Sequence, residues 1–109
     1  MAQVVLLAVL AGSAIGGNDD VRPILEVSKL GDDVYALIGP TTNRDPENLG
    51  NNANFGVIVA QDSVVLIDPG ATYKGARMIH NAIRSISDRP IKFVINTGGQ
   101  DHRWLGNAY

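Results

Sequence analysis

Two nearly unbroken apolar runs, Phe55–Ala60 (FGVIVA) and Val64–Ile67 (VVLI), are separated only by Gln61-Asp62-Ser63. Three polar residues leave room for a tight turn and little else, so the runs read as a β-hairpin. Both are rich in β-branched residues and lack the polar alternate position of a half-wet strand, which is the pattern of strands buried on both faces. Asp68-Pro69-Gly70 ends the second run. From Thr72 to Ser87 the period changes. Ala76, Ile79, Ile83 and Ile86 recur on one helical face, with Lys74, Arg77 and Arg84 off it. Asp88-Arg89-Pro90 stops that helix, because proline biases the preceding residue toward extended backbone. Ile91–Ile95 (IKFVI) then reads as a further buried strand. Upstream, Ile24–Val27 and Val34–Ile38 flank the turn Lys29–Asp33 and form another hairpin. The order is β-β-β-β-α-β, an α+β chain. A single helix covers one face of such a sheet, so burial predicts that the chain is part of a larger fold.

Composition narrows the function classes. A chain of 109 residues is one small domain at most, and 45% apolar with 18% charged residues is globular rather than disordered. A net charge of −2 with no basic block argues against a nucleic-acid partner. The absence of cysteine removes thiolate metal sites and a thiol nucleophile. Val4–Ala11 is wholly apolar, and no charge precedes Asp19. The run is shorter than the ~20 residues of a membrane-spanning helix, so no stable span is expected. It resembles the apolar core of a secretory signal followed by small residues, Ala11-Gly12-Ser13-Ala14, which would place the protein in the periplasm or outside the cell. Met1-Ala2-Gln3 carries no lysine or arginine, and the alternative is an apolar strand or short helix packed on the core of a cytoplasmic protein. Residues 1–17 thus stand apart from a domain over 24–109. Between the two hairpins, Gly39–Asn52 is a long loop with Pro40 and Pro46, the kind of segment that is functional or mobile.

The chemistry-bearing residues gather after the last strand. Gln100-Asp101-His102-Arg103 packs an amide, a carboxylate, an imidazole and a guanidinium into four positions, with glycines on both sides at Gly98, Gly99 and Gly106. Polar groups at the end of a buried strand are how α/β folds build sites. Asp101 and His102 are the candidate catalytic and metal-binding pair, since imidazole titrates near neutrality and both side chains ligate metals. Gln100, Arg103 and Asn107 are candidate substrate contacts, Arg103 because guanidinium clamps carboxylate or phosphate. Asp68 is a candidate supporting carboxylate behind the loop. Each has a plainer reading. Asp101 and His102 can be solvent-facing turn residues, Arg103 can pair with Asp101 or Asp68, and Asp68 can cap the helix. Asn107 can simply hold the loop, Trp104 can belong to the core, and His80 can lie on a solvated helix face.

FGVIVAQDSVVLIDPG, the amphipathic helix, Pro90–Thr97 and then Gly106-Asn107 together resemble the N-terminal part of a metallo-β-lactamase-fold hydrolase. The resemblance spans residues 24–109. It implies an αββα sandwich, of which this chain would be a front portion or fragment. It also implies a small-molecule substrate and zinc, with metal-bound hydroxide attacking an ester, thioester or amide. In that family the strand is followed by Thr-His-x-His-x-Asp-His-x-x-Gly-Asn. Counted without gaps from Thr97, Gly98 and Gln100 fall on the first two histidines, His102 on the aspartate and Arg103 on the last histidine. A shifted register, with one deletion and one insertion, puts Asp101-His102 on the Asp-His pair. Neither register supplies the first two histidines, so weak or absent zinc binding and no activity are expected of the 109-residue chain. The alternative is a non-catalytic binding module that kept the fold and lost the ligands. An unfinished sheet edge also points to self-association.

Overall fold

The computed structural model describes residues 23–109. The signal-like segment expected over 1–17 lies outside them. The described residues form one five-stranded sheet in the order β1-β2-β3-β4-β5 and one long helix. The strands are β1 (Glu26–Lys29), β2 (Val34–Ile38), β3 (Asn54–Val59), β4 (Val64–Ile67) and β5 (Ile91–Ile95), and α1 spans Tyr73–Arg84. The first four strands are a plain antiparallel meander. β5 returns through α1 to lie parallel to β4, the single crossover of the sheet.

The order of elements agrees with the sequence pattern, and the edges differ by local chemistry. β1 starts two residues later than expected and runs to Lys29, because Lys29 pairs with Tyr35 in the ladder. The turn is correspondingly tighter: the Leu30 and Gly31 N–H groups both donate to the Val34 carbonyl. α1 is shorter than Thr72–Ser87. Thr72 is its N-cap in extended backbone, and its hydroxyl accepts from the Gly75 N–H at 2.9 Å. At the other end the Ser85 N–H reaches the Ala82 and Ile83 carbonyls, which closes the last turn.

The core lies between α1 and one face of the sheet. Leu37 of β2, Val57 of β3 and Val64 of β4 meet Ile79 and Ile83 of α1, all with no exposed surface. Burying side chains of this size contributes about 1.5–3 kcal/mol each. The strands are not buried on both faces as their composition suggests. The register places Val34, Ile58, Val65 and Phe93 together on the other face. That face has no helix over it among the described residues. The expected burial of β5 is corrected in the same way. Phe93 and Ile95 are 61% and 50% exposed, because β5 is an edge strand with a neighbour on one side only.

Candidate functional site

β4 and β5 end side by side, and the residues that follow each strand interlock there. Asp68, directly after β4, takes a positive φ of 62°, a left-handed conformation that aspartate tolerates better than most residues. It is buried. Its carboxylate accepts the Thr97 N–H at 2.8 Å and the Thr97 hydroxyl at 2.7 Å. Its own N–H donates to the Ile95 carbonyl. Asp68 therefore rivets the end of β4 to the end of β5. It does not cap α1; Thr72 does.

The segment expected to be an open loop is two short 3₁₀ turns, Asp101–Arg103 and Leu105–Ala108. Two backbone bonds stitch them to the β4–α1 turn. The Gly70 N–H donates to the His102 carbonyl at 3.0 Å, and the Gly106 N–H donates to the Gly70 carbonyl at 2.8 Å. Gly106 is required at this crossing, because a Cβ there would overlap the Pro69 carbonyl oxygen. Asn107 and Asn96 exchange side-chain amide bonds, the better one 2.8 Å, and the Asn96 amide also donates to the Arg103 carbonyl. Trp104 is not in the core. It is 48% exposed, and its indole N–H donates to the Gly99 carbonyl at 3.2 Å.

Asp101 is already occupied. Arg44, from the loop between β2 and β3, reaches across 57 positions with both guanidinium amino groups, at 2.6 and 2.8 Å from the two carboxylate oxygens. The His102 backbone N–H takes a further bond to Asp101 Oδ1 at 2.7 Å. The Arg44 hydrogen bonds hold the Asp101 carboxyl well below the ordinary aspartate range, at about 2. The same pairing raises the pKa of Arg44. The two side chains are 42% and 45% exposed, so this is a surface pair with favourable fork geometry rather than a buried one.

Arg103 pairs with neither Asp101 nor Asp68. It folds back over Gly98 and donates to the Thr97 hydroxyl at 2.9 Å. A Cβ on Gly98 would lie 3.2 Å from the Arg103 Cδ and Nη1 atoms, so glycine leaves the space the arginine fills. His102 is partly buried, with Nδ1 3.8 Å from Asp101 Oδ1. Gln100 is exposed. Elsewhere, His80 is half-buried on α1 and within hydrogen-bond distance of the Tyr109 hydroxyl at 3.0 Å.

The structure thus brings Gln100, Asp101, His102, Arg103, Asn107 and Asp68 into one neighbourhood, but not as a metal centre. Among the described residues no group of three or more His, Cys, Asp or Glu converges. A catalytic zinc takes about three protein ligands with an open position for water. Here the single carboxylate of the loop is neutralised by Arg44, and the imidazole beside it stands alone. The Arg103 guanidinium turns away to the Thr97 hydroxyl. These residues do not fit a zinc ion. Sequence reading passed over Arg44 and Thr97. Arg44 had one signal, its place in a long loop rich in Pro and Asn; Thr97 had its position after β5 and its match to the threonine that opens the resembled motif.

A model of the metallo-beta-lactamase superfamily matches residues 49–99 of the chain. Among solved structures, a metallo-beta-lactamase from Pontibacter korlensis superposes with a TM-score of 0.59 at 19% identity, over 77% of this chain and 38% of that one. VMB-1 is matched at 19% identity over 73% of this chain and 36% of its own, with a TM-score of 0.47. No curated protein matches. The chain spans under two fifths of the length of these solved structures. Its sheet and helix are the N-terminal part of a metallo-β-lactamase fold. No helix among the described residues is long and apolar enough to cross a membrane.

Proposed function

We propose that this chain, which matches a metallo-β-lactamase superfamily model over residues 49–99 and shares the fold, is the front part of a hydrolase-type domain and that its 109 residues alone hydrolyse nothing. For such a domain as a whole the reading is water attack on an ester, thioester or amide. The observation that carries the inactive reading is the state of Asp101, whose two carboxylate oxygens are both taken by Arg44. A carboxylate so engaged is neither a free ligand nor a free base. The chain's own residues therefore fold and order the loop, and no catalytic step runs through it. The test is incubation of the intact chain with excess zinc and a chromogenic cephalosporin or a thioester. No turnover is expected; steady turnover that Asp101→Asn abolishes sinks the reading.

A second reading, a non-catalytic binding module, is favoured by one observation. The loop is ordered by its own groups together with Arg44 and the β4–α1 turn, while the Gln100 side chain and the His102 ring stay outside the hydrogen bonds that order it. Such a surface suits a small polar ligand. Titrating acetate and phosphate in the presence of a chelator separates the two: saturable shifts at Gln100, His102 and Arg103 support the module, and their absence removes it. The apolar run Val4–Ala11 supports export to the periplasm or beyond. Cell fractionation checks this, and a cytosolic chain with an intact N-terminus sinks it.

A further inference from the structure

We propose that two arginines have taken over the task of a metal ion in this loop: Arg44 and Arg103 close it as internal cations, and Arg44 keeps a divalent cation off Asp101. The proposal goes beyond the lack of activity, because it assigns what replaces the metal and predicts how the loop is held.

Arg44 is presented for this contact by its own loop. On one side, the Asp45 carboxylate accepts the Glu47 and Asn48 N–H groups at 2.9 and 2.7 Å. The buried Asn48 side chain accepts the Gly50 N–H at 3.0 Å and donates to the Asn43 carbonyl at 2.9 Å. Further along, the Thr72 hydroxyl donates to the Leu49 carbonyl at 2.5 Å, and Asn51, with no exposed surface, donates to the Gly75 carbonyl at 3.0 Å. The loop that carries Arg44 is therefore anchored to the start of α1, and the guanidinium projects from a fixed base. It meets Asp101 with both amino groups, the geometry that a planar fork allows and a lysine ammonium does not.

Arg103 completes the arrangement from the other side. Its guanidinium donates to Thr97 Oγ1, and that hydroxyl donates onward to Asp68. The side chain lies in the space left open by Gly98. Both acidic groups of the site, Asp68 and Asp101, are thus linked to a guanidinium, one directly and one through a hydroxyl. A divalent cation arriving at Asp101 would have to displace the Arg44 guanidinium, which already holds both carboxylate oxygens.

Amide hydrogen exchange on the full chain tests this. Residues 97–108 should exchange at the same rate in chelator and in excess zinc, and faster in high salt, because a half-exposed pair is screened. Arg44→Gln should speed exchange of those amides by about threefold, the scale a surface ion pair carries, while β2 and β3 amides stay as they were. Arg44→Lys should fall between. The reversal Arg44→Asp with Asp101→Arg should restore slow exchange. Three results would overturn the proposal: zinc slowing or chelator speeding the wild-type loop, Arg44→Gln leaving it unchanged, or Arg44→Gln speeding the whole sheet equally. Hydrolysis by the chain would defeat the inactive reading above without altering any of these exchange outcomes, so the two fail separately.

Discussion

Asp68 shows how much one side chain carries here. It sits in left-handed backbone, is buried, and satisfies two donors of Thr97. Asp68→Ala removes both hydrogen bonds to Thr97 in a part-buried place, at a cost of about 0.5–1.5 kcal/mol each. Asp68→Asn keeps an acceptor and tolerates the same backbone, so it should cost less than half as much; urea unfolding of the two variants checks the order. Asp101 gives a pH signature instead. Its carboxyl lies at about 2, below the ordinary 3.8, first because of the Arg44 hydrogen bonds. A lowered carboxyl stabilises the fold above its ordinary value and loses that contribution as pH falls through the folded one. The Arg44 contact should hold from neutrality to about pH 4 and be lost between about 4 and 2. Trp104 emission reports it, since the indole is bonded to Gly99 in the same loop. A loop transition centred near pH 6 would contradict this. At this scale the sequence showed which side chains crowd the loop but not how they pair. Asp68 was read as a support or a cap because both use the same residue in the same place, and Arg44 lies 57 positions from its partner.

Elements were more legible, because periodicity reports them directly. The stripe of Ala76, Ile79 and Ile83 named the buried face of α1, and β5 begins and ends where its apolar run does. The burial of β5 is the exception. An apolar run states that a strand can be covered and does not say what covers it, and among the described residues nothing covers its outer edge or one of its faces. The two 3₁₀ turns are also illegible in the sequence: their backbone bonds are local, as from Arg103 to Gln100 and Asn107 to Trp104, but what holds them in place is the stitching to Gly70. That stitching gives an element-scale prediction. Gly106→Ala drives a methyl group into the Pro69 carbonyl and should cost about 1–3 kcal/mol, as overpacking does. Gly99→Ala, where a Cβ meets nothing within 4 Å, is the matched control and should be near neutral. Thermal melts of the pair compare them; equal loss in both would show that the Gly106 crossing does not position the loop.

On the scale of the whole molecule, the chain is a sheet with a helix on one face, the N-terminal part of an αββα sandwich. The fold class followed from strand order and the Asp68-Pro69-Gly70 terminator, together with the helix and Gly106-Asn107. The chemistry does not follow from the fold, because a site is made of particular donors. Gly98 offers no side chain and Gln100 only an amide, and Arg44 takes both oxygens of the Asp101 carboxylate. The most direct test of that account is a count of zinc bound to the intact chain at equilibrium, beside Asp101→Asn and His102→Ala. The account predicts no stoichiometric zinc on the wild-type chain and no difference between it and the two variants. One zinc per chain, lost in either variant, would contradict it.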